Sequence, residues 1–374
     1  MSKIKGIKYF GPILDSSGYG KASRAYVLAL YRLGIPICIQ PISFDQDHPD
    51  LGEDQKIIEK LAKNPVDYNV KVLHSTPEFW RENVEEGVHN IGYTIWETTK
   101  LHPDWPSHIN DNVEGVLVGS DWNIDVFENS GVAVPVKSVP HTIPVDDSET
   151  AIDFDVSGVD PEAFKFYSIF QWVERKNPLA AIKAYWYAFQ NDENVAYIIK
   201  THRSNFSEEE RDLIRTTIQR LKSVTVLDKY PPIYLVTDLL SEDEMRGLHQ
   251  WGDCLVSMDR GEGFGLCPFQ AGAYGKPIII TGFGGAMEYA KEDNSYICDY
   301  ALEPVFGMPW SPWYRADQLW AYPSIYHGSQ LMREVYENQD EAKSKGLALK
   351  QTIKDNFNEE VIAKCMVQAI EEII

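Results

Sequence analysis

The stretch Arg260-Gly261-Glu262-Gly263-Phe264-Gly265-Leu266-Cys267-Pro268-Phe269-Gln270 decides how this chain is read. Before it stands Cys254-Leu255-Val256-Ser257, whose apolar residues suit the edge of a buried parallel strand. Gly261, Gly263 and Gly265 let the backbone turn tightly and approach a ligand with no Cβ in the way. Pro268 fits the first turn of a helix, where its missing N–H costs nothing. Gly275 and Pro277 bracket the end of that helix, and Ile278-Ile279-Ile280-Thr281 reads as the next strand. Amides of Phe264, Gly265 and Leu266 would then point outward at a helix N-terminus, a ready site for an anion. Glu262 at its mouth would repel a phosphate, unless hydroxyls of an attached sugar need that carboxylate. Phosphate on backbone amides and sugar hydroxyls on a nearby carboxylate are the chemistry of a nucleotide-sugar site.

Upstream, Phe166-Tyr167-Ser168-Ile169-Phe170 has the pattern of a buried strand. Gln171-Trp172-Val173-Glu174-Arg175-Lys176-Asn177-Pro178 follows, then a helix over 179–189. Arg175 and Lys176 therefore stand between a strand end and a helix, where a guanidinium fork and an ammonium suit a phosphate that gathers charge. Residues 196–199 read as the next strand, ending in Lys200, a further candidate for the same phosphates or for an acceptor. A helix is expected over 211–221, a strand over 224–227, and a capping box at Ser241-Glu242-Asp243-Glu244. Another helix is expected over 330–338. Pro309-Trp310-Ser311-Pro312-Trp313-Tyr314 reads as a packed loop or as a carbohydrate platform. Residues 359–373 set Val361, Ile362, Cys365, Met366, Ala369 and Ile370 on one helical face.

Arg-Gly-Glu-Gly-Phe-Gly-Leu followed by a helix, with Gly284-Gly285-Ala286-Met287-Glu288-Tyr289 downstream, resembles the donor-site signature of the retaining glycosyltransferases of family 4. The resemblance covers most of the chain and is tightest from about Phe166 to Ser324. It implies the α/β GT-B fold: two Rossmann-like domains with parallel sheets facing a cleft, and a C-terminal helix crossing back to the first domain. It also implies that Arg175 and Lys176 hold the donor diphosphate, that Glu262 holds donor-sugar hydroxyls, and that Gly263, Phe264, Gly265 and Leu266 line the donor site. No metal or other cofactor is implied. The family places a second glutamate where this chain has Gln270, which would face the nucleotide ribose without a charge. Glu288 stands at a position that the family also fills with Glu.

The first part of the chain opens with a strand over 4–10, a turn-rich loop Asp15-Ser16-Ser17-Gly18-Tyr19-Gly20, a helix over 21–33 and a strand over 35–39. This is a Rossmann-like half. Gly18-Tyr19-Gly20-Lys21-Ala22-Ser23 nearly matches a dinucleotide fingerprint, so a dehydrogenase is one alternative. That fold wants an acid closing the second strand, and this strand closes with Gln40-Pro41. Gly18, Tyr19 and Gly20 are instead candidates for the acceptor or phosphate side of the site, with Glu97 after the strand 90–95 as a fourth. Ser120 suits a helix cap. Asp45-Gln46-Asp47-His48 has the look of a metal-binding pair or of a solvated loop, and the resemblance requires no metal.

The 374 residues suffice for two domains with cores of their own, expected as 1–150 and 151–350, with 351–374 as the returning helix. Acidic residues over 146–162 suit a linker between them. A formal net charge of −21 disfavours nonspecific binding to nucleic acid or to an anionic membrane. No apolar run reaches the length of a membrane span, and the start lacks a signal-peptide core. Five dispersed cysteines suit reduced thiols in the cytoplasm. The expectation is a hexosyl- or pentosyltransferase that moves a sugar from a nucleotide diphosphate-sugar to a glycan, a lipid-linked sugar or another hydroxyl. A transferase acting on a modified nucleic-acid base and a binding module without transfer are the alternatives.

Overall fold

The computed structural model describes residues 3–44, 51–52, 54–143, 152–190, 193–308 and 311–374. The chain divides into two compact units, 1–145 with 354–374, and 146–353. Asp45, Asp47 and His48, together with Pro309 and Trp310, lie outside the described residues.

The first unit alternates strands and helices: β1 (Ile7–Gly11), α1 (Gly18–Arg32), β2 (Ile37–Pro41), α2 (Asp54–Lys63), β3 (Val70–His74), β4 (His89–Tyr93), α3 (Trp105–Asn110), β5 (Gly115–Val118), α4 (Asp121–Asn129) and β6 (Val136–Ser138). The six strands form one parallel sheet in the order β2-β1-β3-β4-β5-β6. Its inner strands β1, β3 and β5 are buried almost throughout, as in sheets covered on both faces, while the edge strands β2 and β6 are partly exposed. Helix α1 starts three residues earlier than the sequence reading has it. Ser17 caps it by accepting from Gly20 N at 3.1 Å, so Gly18-Tyr19-Gly20 is the first helical turn and not a loop. Gly20 is required there, because a Cβ would lie 2.2 Å from the Asp15 carbonyl oxygen.

The second unit runs β7 (Phe164–Gln171), α5 (Pro178–Ala188), β8 (Val195–His202), α6 (Glu208–Thr225), β9 (Ile233–Val236), α7 (Glu242–Trp251), β10 (Cys254–Ser257), α8 (Leu266–Ala273), β11 (Ile278–Thr281) and β12 (Tyr296–Cys298). A hairpin of β13 (Tyr300–Pro304) and β14 (Leu319–Pro323) follows, then α9 (Ile325–Glu337) and α10 (Gln339–Asn356). Its parallel sheet has the order β12-β11-β10-β7-β8-β9, with β10 and β7 at the centre. Val256, Ile279, Tyr197 and Ile199 form the floor of the core, and α5 and α9 cover it with Tyr185, Trp186 and Met332. The capping box at Ser241 and Glu244 is formed at the head of α7.

Residues 224–227 are not a strand. Helix α6 continues to Thr225, whose hydroxyl donates to the Leu221 carbonyl, and Val226 ends it with φ 49°. Val224 and Val226 have the alternation of a strand, yet they are 74% and 86% exposed. The strand beside β8 is Ile233–Val236. Helix α9 also begins earlier than 330, because Ser324 accepts from His327 N at 3.2 Å and caps it.

The first unit is completed by α11 (Glu359–Ile373), which packs against α1. Its buried face is Ile362, Ala363, Met366, Ala369 and Ile370, while Val361 is exposed. Ile373 sits so close to Gly115 on β5 that a Cβ there would meet it at 2.7 Å.

Candidate active site

In the second unit the sheet ends bring three sequence-flagged residues together. After β7 the chain makes a one-turn 3-10 helix, Glu174–Lys176, before Pro178 opens α5. After β10 it makes the glycine loop and enters α8 at Leu266, with Gly265 at φ 82° as the cap. Strands β7 and β10 are neighbours, so both loops leave the same edge of the sheet. Arg260 N donates to the Arg175 carbonyl at 2.8 Å and ties the loops together. Arg175 Nη1 donates to Glu262 Oε1 at 3.0 Å and to the Gly261 carbonyl at 2.7 Å. Lys176 Nζ donates to the same Glu262 oxygen. The three side chains are only 13–19% exposed.

Burial works against charge at each of these groups, but the opposite charges prevail. The Glu262 carboxyl is held below the usual glutamate range by Lys176 and Arg175 against its own burial. The Lys176 ammonium is held above the usual lysine value, where burial is outweighed by Glu262. Asp259 behaves differently. Burial is the largest influence on it, Glu262 adds repulsion, and the carboxyl is pushed up to about 6 despite Lys176. Its carboxylate accepts from Ser257.

A second layer fixes the glycine loop. Gly285 N donates to the Glu262 carbonyl at 2.7 Å, and Thr281 Oγ1 donates to the Asp259 carbonyl at 2.7 Å. Tyr289 donates its hydroxyl to the Gly265 carbonyl at 2.7 Å, and its ring packs with Phe264 and Phe269 in a buried aromatic cluster. Phe264 is thus a core side chain two residues before α8 begins. Arg260 turns the other way: its guanidinium pairs with Glu174 at 2.9 Å and with Glu303, 5.3 and 5.4 Å from the rings of Trp320 and Tyr322. The β14 backbone joins in, Ala321 N donating to the Arg260 carbonyl at 2.7 Å.

The other flagged residues take the following places. Gln270 is half-buried one turn along α8 from Leu266, on the same side. Lys200 is buried near the end of β8, its ammonium 5.4 Å from the centre of the Phe206 ring. In the first unit, the Tyr19 hydroxyl shares a 3.0 Å hydrogen bond with Thr94 Oγ1, and its ring lies against His74. Burial pushes the Tyr19 phenol up, and the half-buried Glu97 adds to that effect. Tyr19 and Glu97 therefore share one end of the first sheet.

Several contributors escaped the sequence reading. Asp259 carried a signal, being an acid just past a buried strand. Arg260 and Tyr289 stood in the quoted motifs without a role of their own. The first unit also holds a buried network: Tyr9 and Ser23 on His74 Nδ1 at 2.6 and 3.0 Å, and Tyr26 on His141 Nδ1 at 2.9 Å. Burial keeps both histidines neutral, His141 down to about 3. Among the described residues no cluster of potential metal ligands occurs, and no helix is long and apolar enough to cross a membrane.

No known family profile matches the chain, and no curated protein sequence matches it. Solved structures do. HepE from Anabaena, in complex with UDP and glucose, superposes with a TM-score of 0.65 at 12% identity, over 98% of this chain and all of that one. Sucrose-phosphate synthase from Thermosynechococcus elongatus gives 0.67 at 12% identity, over 98% of each chain. An E. coli trehalose-6-phosphate protein bound with UDP-2-fluoro glucose gives 0.65 at 12% identity, over 98% and 99%. With the two six-stranded parallel sheets, these likenesses bear out the expected GT-B fold.

Proposed function

We propose that this chain is a metal-independent, retaining glycosyltransferase that uses a nucleotide diphosphate-sugar. One observation carries the reading: Arg175, Lys176 and Glu262 converge at the ends of β7 and β10, beside the N-terminus of α8. Two of the structural neighbours were captured with UDP or a UDP-sugar, so UDP-sugars stand first among donors to test. A donor diphosphate would compete with Glu262 for the two cations, and the α8 amides would complete its cradle. Glu262, partly released from its ion pairs, would accept from hydroxyls of the donor sugar.

In the proposed step the bond between the sugar's anomeric carbon and the β-phosphate oxygen breaks. The acceptor oxygen bonds to that carbon from the same face, and its proton passes to the departing phosphate oxygen. Charge grows on that phosphate, which Arg175 and Lys176 stabilise without rearrangement. Tyr19, Gly18, Gly20 and Glu97 are the proposed acceptor side, with a glycan or lipid-linked sugar as acceptor and the cytoplasm as the place of action. Transfer from a panel of UDP-, GDP- and ADP-sugars, followed with and without a chelator, tests the reading. Turnover of one donor in both conditions is expected. Turnover only with added divalent metal would overturn the mechanism, and donor binding without turnover would favour a binding module.

Gln270 is the observation that keeps the binding module in view. A hydrogen bond to a charged group is worth about 1.5–3 kcal/mol and a neutral one about 0.5–1.5. The difference, roughly 1 kcal/mol, is about fivefold in affinity. Gln270→Glu is therefore expected to bind nucleotide equally or severalfold tighter by calorimetry, with transfer retained. Severalfold weaker binding by a folded variant would mean that the Gln270 amide donates to the nucleotide.

A further inference from the structure

The proposed step gives Asp259 no task, yet its carboxyl group is among the charges that a donor would meet. It stands just past β10 and is 7% exposed. Asp259 and Glu262 line one cavity of about 10 Å³, no larger than a single water molecule needs. Little solvent fits beside the two carboxyl groups, so charge on one is weakly screened from the other. Arg175 and Lys176 act on Asp259 from the β7–α5 turn, and Ser257 donates to it from its own strand. The phenols of Tyr197 on β8 and of Tyr289 also feel its charge, but burial keeps both un-ionised.

With both carboxyl groups ionised, Arg175 and Lys176 balance Glu262 and Asp259. A donor diphosphate adds negative charge to this buried group and draws the two cations toward itself. Asp259 then loses part of the attraction that keeps it ionised and gains a repulsion, and a proton on its carboxyl group relieves both. Burial and Glu262, against the pull of Lys176, already set that carboxyl at about 6 in the free protein. A further push carries it toward neutral pH.

We propose, on the donor reading above, that Asp259 couples donor binding to proton uptake: the nucleotide diphosphate-sugar enters as the Asp259 carboxylate takes a proton from solvent, and the proton leaves when the site empties. Asp259 is then a positioning residue, acting through Arg175, Lys176 and Glu262 and touching no reacting atom. Because the bound form holds the proton more tightly, affinity is fully present below about 6, falls above it, and levels off once the bound carboxyl has also ionised. UDP-glucose, or the GDP- or ADP-sugar that binds in its place, is the probe. A diphosphate esterified at both ends has no proton to exchange near neutral pH, unlike the terminal phosphate of free UDP. Calorimetry on the full chain should show roughly tenfold weaker binding at about pH 8 than at about pH 5, the effect of a proton held about tenfold more tightly. Near neutral pH the heats should differ between PIPES and Tris buffers by the protons taken up. Asp259→Asn should flatten the pH dependence. Ser257→Ala removes the hydroxyl that favours the ionised carboxylate, so the loss of affinity should begin at higher pH. Equal affinity across this range, with equal heats in both buffers, would overturn the proposal and leave the donor reading intact. A pH dependence retained by Asp259→Asn would assign the proton to another group and overturn it too. If no sugar of the panel binds at any pH, the donor reading fails and the proposal with it.

Discussion

Arg175→Ala and Lys176→Ala are each expected to lower sugar transfer by roughly two orders of magnitude, the scale on which one preorganised donor facing developing charge acts. They are also expected to lower stability. Each cation is one of two that hold the buried Glu262 carboxylate, so its removal leaves that charge half-compensated. Losing the only partner of a buried charge costs about 3–5 kcal/mol, and with one cation kept the cost should be about 2 kcal/mol. Thermal melting and transfer rates read the two effects separately. The double variant Lys176→Ala, Glu262→Gln should recover much of the melting temperature but none of the turnover. Near-normal transfer by the Arg175→Ala protein would place the donor phosphates elsewhere.

The second large effect is expected from Gly284→Ala. Gly284 has φ 87° and ψ −161°, a region open almost only to glycine. A Cβ there would lie 2.6 Å from the Glu262 carbonyl oxygen, a backbone atom that cannot swing aside. Strain of this kind costs about 1–3 kcal/mol, and any relief must push the glycine loop. Displacement of a positioned group by 1 Å can cost about a hundredfold in rate. Melting and turnover should therefore fall together, although residue 284 offers no side chain to a substrate. A variant that melts like the parent would show that the loop has slack.

The two central loops were legible because their signals are local. Glycine spacing, Pro268 and an Arg-Lys pair between a strand and a helix each constrain the backbone within a few residues. The ion pair was not legible. Arg175 and Lys176 were read as phosphate ligands and Glu262 as a sugar ligand, with nothing to say that they bind one another. Arg260 shows why: its partners Glu303, Trp320 and Tyr322 come from a hairpin more than forty positions away in the chain. Residues 224–227 failed for the opposite reason, since an alternating pair of valines satisfies a strand pattern while lying on an exposed helix end. Tyr9, His74 and His141 form a network that only the sheet order brings together.

The placement of α11 has a consequence for how the molecule is made. Ribosomal synthesis delivers residues 1–145 long before residues 354–374, yet both belong to one compact unit. Until α11 emerges, the face of α1 that it covers and the space beside Gly115 are open. The second unit, by contrast, is one continuous stretch, 146–353. Domains generally fold from the N-terminus forward during translation, at about 5–20 residues per second. This chain inverts that order: its first unit waits, with apolar surface uncovered for about 10–40 s, until the second has been made.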